Sequence, residues 1–449
     1  MKEDPGSFQI LGFETDDAAG VVKLRYGFES GLRFCETIEF HAPLPARGDE
    51  RRAGFEAALA ALNVLAGVSY YKAFAPETIE ILSGAFSKEQ VFFFEDLYLN
   101  GLGEFAVRNG VDLSNRARFE CASTSQPVAG DAEAAVLTRR AAVLVGGGKD
   151  SLVSVEALRA ADEPIVLFAV NPKKPILDCA AASDLPLISI ARHLDPQLFE
   201  LNAAGALNGH VPITAIVSFI ALAAAFVHGF DCVVLSNERS ANEPTLEHNG
   251  VAVNHQFSKT AGVEGAIRRY VSRNVASNLA YFSLLRPLSE LHIARLFGKV
   301  ERYDDVFTSC NRAFQLRATT APARWCCNCP KCRFTFLMLA TALPKERMLR
   351  IFGRNLLDDA TQRVGYEELA GLSGHKPWEC VGEIGESCAA VLRLAARPEW
   401  RDSLLLKELA PRLEPFSARL EQEWRVLLSP SAEHSLSPHF ESVLNAYLA

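Results

Sequence analysis

The sequence lacks a surplus of basic residues. It has 46 Lys and Arg against 54 Asp and Glu, which leaves a formal net charge of −8 at pH 7. A chain of this charge has no general attraction for nucleic acid or for anionic lipid, so we expect no nucleic-acid partner. Any phosphate that the protein binds must therefore be held by a local site.

The sequence also lacks a secretory signal. Its first ten residues, MKEDPGSFQI, do not show the basic and then apolar pattern of such a segment. We therefore expect a cytoplasmic protein whose 11 cysteines stay reduced. In a reducing compartment, cysteines indicate metal binding or catalysis more than disulfides.

Long apolar runs are scarce. The one membrane-like run, residues 211–227, carries no charge and is near the lower length limit for a spanning helix. Pro212 suits a first helical turn, and a strand-like segment follows at Asp231. We predict a buried core helix and no membrane insertion, with a membrane span as the alternative.

Three regions of the chain differ in pattern, and the length of 449 residues allows about three domains. Residues 1–138 mix alternating strand-like segments with a helical stretch, which predicts an N-terminal α+β domain that binds substrate. Residues 139–345 predict an α/β domain, and residues 346–449 a mainly helical region. A stretch rich in Ser, Thr, Pro and Gly at 115–131 predicts a linker or an exposed loop.

The central region alternates short apolar runs with helical stretches, which is the signature of β-α units and a parallel sheet. The apolar runs are 141–145, 164–170, 185–190, 232–235 and 280–285. Ligands bind beyond the C-terminal ends of strands in an open parallel sheet. The polar segments that follow three of these strands are 146–151, 171–174 and 236–243.

The first polar segment is a candidate phosphate loop. It reads Gly146, Gly147, Gly148, Lys149, Asp150 and Ser151. Three glycines between a strand and a helix let backbone amides approach an anion, and the helix N-terminus adds partial positive charge. The segment fits neither the Walker loop nor the dinucleotide fingerprint, and an acidic residue beside phosphates suits a Mg²⁺ ligand. We therefore expect Asp150 to act in catalysis through magnesium.

This loop resembles the Ser-Gly-Gly-x-Asp-Ser loop of the N-type ATP pyrophosphatases, the PP-loop superfamily, with Gly146 where Ser is usual. The resemblance implies a parallel sheet of the adenine nucleotide α-hydrolase type and cleavage of ATP between its α- and β-phosphates. It also implies that adenine lies against the end of the next strand, at Phe168, Val170 and Asn171, although Phe168 alone reads as a core residue. Because Gly146 has no hydroxyl, the backbone or Lys149 must supply the phosphate contact that the serine makes in that superfamily. A glycine turn without function is the alternative.

A cysteine cluster follows. Cys326, Cys329 and Cys332 have the spacing of zinc ligands, and Cys310 is our first choice for the fourth. A very similar cluster holds a structural zinc in the pyrophosphatases that make 7-cyano-7-deazaguanine. Two alternatives remain open: free buried or reactive cysteines, and a catalytic Cys310, because this residue follows a strand-like segment.

Five further segments resemble the UDP-N-acetylmuramoyl-L-alanyl-L-glutamate epimerase (MurL) family. They are 205–214, 236–243, 286–291, 325–334 and 374–383. The resemblance covers most of the chain and implies an isomerase that inverts the terminal glutamate of this peptidoglycan precursor, consuming ATP to AMP and pyrophosphate. Composition and spacing alone indicate only an ATP-dependent enzyme that activates a carboxylate.

The substrate of that family is a long, anionic nucleotide-sugar, which needs basic side chains in the crevice. We assign Glu238 and Arg239, in the polar segment after a strand, to ligand binding. Other basic residues available there are Lys259, Arg268, Arg269 and Arg286.

Inversion also needs a base and an acid at the glutamate Cα. The candidates are His210, His255, Cys310, Cys380 and Glu383. A thiol pair of Cys310 and Cys380 would match a cofactor-free glutamate racemase family, but it excludes Cys310 as a zinc ligand.

Two rival interpretations stay open. One is another N-type ATP pyrophosphatase that activates a carboxylate or a base for amidation or thiolation. The excess of acidic over basic residues argues against a tRNA substrate, and the chain shows no glutaminase domain. The other is a regulatory module that binds ATP without cleaving it.

Overall fold

The computed structural model describes residues 5–114, 116–121, 132–314 and 324–449. The strands of this part are β1 (Phe8–Asp16), β2 (Val21–Phe28), β3 (Arg33–Glu39), β4 (Thr78–Ile81), β5 (Arg118–Cys121), β6 (Ala141–Leu144), β7 (Ile165–Val170), β8 (Leu187–His193), β9 (Cys232–Leu235), β10 (Leu246–His248), β11 (Val251–Val253) and β12 (Ala280–Ser283).

The helices surround these strands and dominate the C-terminal region, as predicted. They are α1 (Arg52–Ala66), α2 (Val68–Tyr71), α3 (Lys88–Gly101), α4 (Gly103–Asn109), α5 (Lys149–Ala160), α6 (Lys174–Ser183), α7 (Pro196–Ala203), α8 (Ile213–His228), α9 (Ala261–Asn274), α10 (Glu290–Phe297), α11 (Pro330–Ala340), α12 (Lys345–Phe352), α13 (Arg363–Leu369), α14 (Ile384–Ala395), α15 (Leu404–Leu413), α16 (Ser417–Leu427) and α17 (Pro438–Leu448).

Ten strands form one sheet in the order β12-β9-β6-β7-β8-β3-β2-β1-β4-β5. The first five run parallel, which confirms the parallel sheet that the β-α pattern predicts. β3 joins β8 antiparallel, with Thr37 opposite His193, and β2 and β1 continue from it. The predicted boundary at residue 138 therefore falls within one continuous sheet.

The predicted linker is in part a strand. Residues 118–121 form β5, which pairs with β4 at the edge of the sheet, with Ile79 opposite Phe119. Asn115 and residues 122–131 of the same segment lie outside the described residues.

The two faces of the sheet carry separate cores, because successive side chains of a strand point to opposite faces. Ala141 and Val143 of β6 face a core shared with α5, α10, α11 and the C-terminal helices. Ala142 faces the core formed by α1, α8 and the N-terminal strands. The mainly helical C-terminal region thus packs directly onto the sheet domain.

Helix α8 lies inside the second core and packs against α1, which confirms the prediction of a buried helix. The two helices approach closely at Gly54, where a Cβ atom would lie 2.4 Å from the Phe226 ring. Within the described residues, one run, Arg52–Tyr71, is long and apolar enough to cross a membrane, and 72% of it is buried, as in a core helix.

Candidate active site

A cleft of about 420 Å³ opens where β6, β7 and β9 end. Gly146, Gly148, Asp150 and Ser151 line it, immediately before or within the first turn of α5. This is the edge of the sheet at which the sequence predicts a ligand. The N-terminus of α5 adds partial positive charge there, so the cleft has the features of a phosphate site.

The loop needs its glycines for two reasons. Gly147 has a φ of 78°, which favours glycine, and its carbonyl accepts a hydrogen bond of 2.9 Å from the Thr308 amide. At Gly148 a Cβ atom would lie 2.9 Å from the Ser309 hydroxyl oxygen. The segment that leads to Cys310 therefore packs directly against the phosphate loop.

Lys149 does not line the cleft, contrary to the expectation that it replaces a phosphate contact. Its side chain is only 2% exposed, and its ammonium group binds the carboxylates of Asp150 and Glu290. Burial opposes ionisation of Asp150, but the Lys149 and Lys331 ammonium groups lower the pKa of that carboxyl below its usual range. Lys149 thus holds Asp150 ionised and in place.

Two other lysines supply positive charge to the cleft. Lys259 and Lys331 both line it, and the Lys331 ammonium lies 3.8 Å from the carboxylate of Glu290. Lys331 and Glu290 are absent from the residues chosen by sequence. Lys331 follows directly on Cys329 and Pro330 at the start of α11, so its position depends on the cysteine cluster.

The predicted adenine segment contributes one of its three side chains. Val170, with Ala169, lines the cleft. Phe168 is fully buried in the core between the sheet and α8. The Asn171 side chain bonds the Arg192 backbone N–H at 2.8 Å and carbonyl at 2.7 Å, so it joins β7 to β8.

The sulfur atoms of Cys310, Cys326, Cys329 and Cys332 all lie within 4.8 Å of one another. The Cys326–Cys332 and Cys329–Cys332 sulfur distances are 3.8 and 3.5 Å. Tetrahedral zinc with Zn–S bonds of about 2.3 Å requires sulfur atoms about 3.8 Å apart. The four thiols therefore fit a structural zinc ion, with Cys310 in the fourth position.

Cys327 lies between two of the predicted ligands in the sequence, but its thiol points away from the cluster. Its φ of 53° turns the chain, and its thiol donates to the Phe352 carbonyl at 3.5 Å. The arrangement also bears on the two roles proposed for Cys310. Its sulfur faces the other three thiols, which favours a zinc ligand over the catalytic pair of Cys310 and Cys380.

A second cluster joins three distant parts of the chain. The Cys380 sulfur accepts a hydrogen bond of 3.3 Å from the Lys259 ammonium, and Cys380 lines the cleft. His255 lies beside Cys380, close enough for each to shift the pKa of the other, and its Nδ1 atom lies 2.5 Å from a Glu104 carboxylate oxygen. The His210 ring lies 4.4 Å from the His255 ring.

These contacts set the charge of each group. Burial opposes ionisation of Cys380, but Lys259 and His255 lower the pKa of its thiol to about 5. Burial likewise disfavours the His255 cation, but the hydrogen bonds to Cys380 and Glu104 raise its pKa to about 9. Burial and the His255 cation lower the pKa of His210 to about 4. At neutral pH the cluster contains a thiolate, an imidazolium and a neutral imidazole.

Glu104 is the member that the sequence analysis missed. It lies in the short helix α4, it is 6% exposed, and no motif surrounds it. Its carboxylate also pairs with Arg108 at 2.7 Å. Only the packing of α4 against residues 209–210 reveals its role, as in the contact between Gly209 and Phe105.

Two predicted site residues, Glu383 and Arg239, make contacts outside the cleft. Glu383 caps the N-terminus of α14, and its backbone N–H donates to the Glu386 carboxylate at 2.8 Å, so it does not line the cleft. The Arg239 guanidinium bonds the carbonyls of Val426 and Ser429 at 3.0 and 3.2 Å, so it anchors the end of α16.

Most of the other basic or acidic residues chosen from the sequence do not line the cleft. Glu238 is 5% exposed and does not line the cleft. Its carbonyl accepts a 2.6 Å bond from Arg286, whose guanidinium also pairs with Glu264. Arg268 bonds the Ser435 carbonyl at 2.6 Å. Lys259 is therefore the one basic residue, among those chosen from the sequence and described here, that reaches the cleft.

Known proteins match this chain along most of its length. The family model for the MurL N-terminal domain matches residues 1–284, and that for the MurL C-terminal domain matches residues 306–423. The chain belongs to the MurL family. The N-terminal family model ends at residue 284, and the C-terminal one begins at residue 306. The N-terminal model therefore includes both the antiparallel strands and the phosphate loop. The continuous sheet likewise joins the antiparallel strands to β6, which leads into that loop.

Individual MurL relatives agree with this assignment. The UDP-N-acetyl-alpha-D-muramoyl-L-alanyl-L-glutamate epimerase of Xanthomonas oryzae pv. oryzae (strain MAFF 311018) is 43% identical over 445 residues, which cover 97% of this chain and 96% of that protein. The protein of the same name from Salinispora tropica is 47% identical over 408 residues, 90% of this chain and 88% of that protein. The one from Micromonospora sp. is 43% identical over 441 residues, 98% and 97% of the two chains.

Several MurL-like segments converge on the cleft. Segment 205–214 contributes Ile213 and Thr214, segment 236–243 contributes Ser236 and Asn237, segment 325–334 contributes Lys331, and segment 374–383 contributes Cys380. The last segment is held by a 3.2 Å bond from Gln256 to the Val381 carbonyl. Residues from both family domains therefore build one site.

The charge state of Cys380 can be tested by alkylation with iodoacetamide. Lys259, His255 and Lys331 favour the thiolate, and the nearby carboxyl of Glu379 opposes it. We expect the alkylation rate of Cys380 to stay constant from pH 8 to pH 6 and to fall about tenfold per pH unit below about pH 5. Peptide mass spectrometry measures the modification of each cysteine.

Matched lysine variants provide the control for this experiment. Lys259→Met should move the pKa of Cys380 towards the ordinary thiol value of about 8.5. Lys174→Met removes an exposed lysine that pairs with Asp178 and should leave the profile unchanged. A wild-type rate that climbs tenfold per pH unit between pH 6 and pH 8 would show an ordinary thiol.

Proposed function

We propose that this protein is an ATP-dependent epimerase that inverts the terminal L-glutamate of UDP-N-acetylmuramoyl-L-alanyl-L-glutamate to D-glutamate in peptidoglycan precursor synthesis. One observation carries the proposal: a glycine phosphate loop and Cys380, whose sulfur accepts a hydrogen bond from Lys259, line one cleft. The relatives named for this epimerase give the substrate.

The cleft offers a place for each part of ATP. The amides at Gly146 and Gly148 and the N-terminus of α5 would hold the phosphates, and Lys259 and Lys331, which line the same cleft, would add positive charge. Val170 and Ala169 would face the adenine. Asp150 is the residue for Mg²⁺, which when bound would offset the negative charge of the phosphates.

ATP is needed because a carboxylate makes the neighbouring Cα–H very weakly acidic. In the proposed reaction a glutamate carboxylate oxygen attacks the α-phosphorus of ATP, which forms an acyl-adenylate and releases pyrophosphate. The adjacent negative charge is then gone, and the carbanion delocalises as an enolate. Proton removal, proton return to the other face and hydrolysis complete the cycle, with AMP and pyrophosphate as products.

The second cluster lies where it can serve this chemistry. Cys380 and His255 carry opposite charges, and Glu104 fixes the orientation of His255 through Nδ1. His210 is neutral beside them. The four thiols of the zinc cluster take no part in the reaction steps, and their role is to hold the segments at Ser309 and Lys331.

The proposal predicts isotope exchange that depends on ATP. With ATP and magnesium in deuterated water, the substrate should give the D-glutamate isomer with deuterium at Cα, together with AMP and pyrophosphate. Mass spectrometry and chiral analysis of the released glutamate measure both events. A substrate whose glutamate carboxylates are blocked as amides should be inert, because nothing remains to adenylate.

Two ATP analogues make the matched control. The β,γ-methylene analogue can still be split between its α- and β-phosphates and should support inversion, whereas the α,β-methylene analogue should not. Inversion without ATP, or formation of ADP, would refute adenylation. Formation of AMP while Cα keeps its hydrogen would favour the alternative of another N-type ATP pyrophosphatase, one that activates a carboxylate or a base for amidation or thiolation.

A further inference from the structure

Cys380 is placed and charged as a nucleophile. Its sulfur lies 3.3 Å from the Lys259 ammonium, and it lines the same cleft as Gly146, Gly148 and Asp150. It is not a zinc ligand, because the four sulfur atoms of the zinc cluster are those of Cys310, Cys326, Cys329 and Cys332. Cys380 is therefore free to react with a group carried on the nucleotide.

The relay behind Cys380 has the arrangement that activates nucleophilic thiols. The His255 Nδ1 atom is hydrogen-bonded to Glu104, so a carboxylate orients the imidazole that stabilises the Cys380 thiolate. A thiolate with a pKa of about 5 is fully ionised at neutral pH but holds a proton weakly. These properties suit attack on an acyl carbon better than removal of a Cα proton.

We infer that Cys380 takes the glutamyl group from AMP as a thioester before the glutamate is inverted. This inference rests on the proposed function, because the acyl-adenylate is its starting material. A thioester keeps the property that inversion needs, since its carbonyl has no negative charge and can delocalise the carbanion as an enolate.

The steps balance. The Cys380 sulfur forms a bond to the acyl carbon, the bond from that carbon to the AMP phosphate oxygen breaks, and the thiolate charge leaves on AMP. A base in the cleft then takes the Cα proton, the electron pair of the Cα–H bond passes into the enolate, and an acid that exchanges with solvent delivers a proton to the other face of Cα. Water finally adds its hydroxyl to the acyl carbon, the C–S bond breaks, and the two protons pass to solvent, which regenerates the carboxylate and the thiolate.

Acylation also changes what the neighbours of Cys380 do. Lys259 and His255 lose the thiolate that they stabilise in the free enzyme. Both cations then face the thioester, where they stabilise negative charge on the enolate oxygen. The same two residues thus serve the nucleophile first and the enolate afterwards.

A quenched-flow experiment tests the thioester directly. The full-length enzyme is mixed with ATP, magnesium and substrate labelled with ¹⁴C in glutamate, then quenched in acid within the first turnover. We expect label in the precipitated protein only when ATP is present, and its release by neutral hydroxylamine. Peptide mass spectrometry should locate it on Cys380.

Variants separate this inference from the proposed function. Cys380→Ala should carry no label and should lower inversion by about a thousandfold or more, while it still releases pyrophosphate from ATP when substrate is bound. Cys35→Ser, in β3 and outside the cleft, should behave as wild type. Thermal melting checks the fold of each variant, and trapping in the wild-type enzyme needs no variant at all.

Each remaining outcome has one meaning. Wild-type enzyme that forms AMP and inverts glutamate without protein-bound label, or Cys380→Ala that inverts at more than a tenth of the wild-type rate, would overturn the thioester and leave the epimerase intact. Label on another residue would also overturn it. If no AMP forms, adenylation fails, and the thioester fails with it.

Discussion

Asp150→Asn should lower the rate of ATP cleavage by about a hundredfold, the effect of losing one key electrostatic contact. The substitution keeps the size of the side chain but removes the negative charge that suits a Mg²⁺ ligand. Lys149 can still pair with Glu290, so the fold should survive. Pyrophosphate release in the presence of substrate measures the effect, and a magnesium titration should show that the variant needs more of the ion.

A matched control is available on the neighbouring helix. Asp178→Asn makes the same chemical change at an exposed carboxylate of α6, which bonds Lys174 at 2.7 Å. Its rate should equal that of the wild type. Near-normal turnover of Asp150→Asn, with unchanged magnesium dependence, would remove Asp150 from the site.

Loss of the zinc cluster should destabilise the whole site. We expect purified protein to contain close to one zinc per chain, and chelation or Cys332→Ser to lower the melting temperature by about 10 °C or more. The reason is that structural zinc contributes on the order of 10 kcal/mol to folding, and removing one ligand forfeits much of that binding. Activity should fall with it, because Ser309 and Lys331 lie beside the ligands Cys310 and Cys332 and also line the cleft.

The control for this prediction is Cys327→Ser. Cys327 stands between two ligands in the sequence, but its thiol bonds the Phe352 carbonyl, a contact that a serine hydroxyl can keep. Its zinc content should match that of the wild type. Zinc-free protein with unchanged melting and activity would refute the structural zinc. Two zinc ions per chain would point to Glu104, His210 and His255 as a second metal site, since their ligand atoms also lie within 4.8 Å of one another.

Local patterns account for the predictions that agree with the structure. The phosphate loop is one continuous segment between a strand and a helix, so glycine content and position reveal it. Three of the four clustered thiols lie within seven residues, which explains why their spacing was informative. The parallel strands and the buried α8 follow from hydrophobic pattern, and they occur where the sequence predicts them.

Several candidate site residues contact other protein groups instead of lining the cleft, because residue type does not determine where a side chain points. Lys149, Asn171 and Arg239 each looked suited to a ligand, yet each is engaged by other protein groups. Buried polar groups must find partners, and those partners come from segments distant in sequence. Glu383 likewise serves the backbone of α14.

The sequence by itself determined the sheet, the phosphate loop, three of the four clustered cysteines and the family, since all of these depend on neighbouring residues or on overall similarity. Only the tertiary structure decided that Cys310 belongs with those cysteines and that Cys380 meets Lys259 and His255. Only folding, too, brings Glu104 of α4 to His255. The charges of the resulting cluster depend on contacts and burial, and these exist only once the chain has folded.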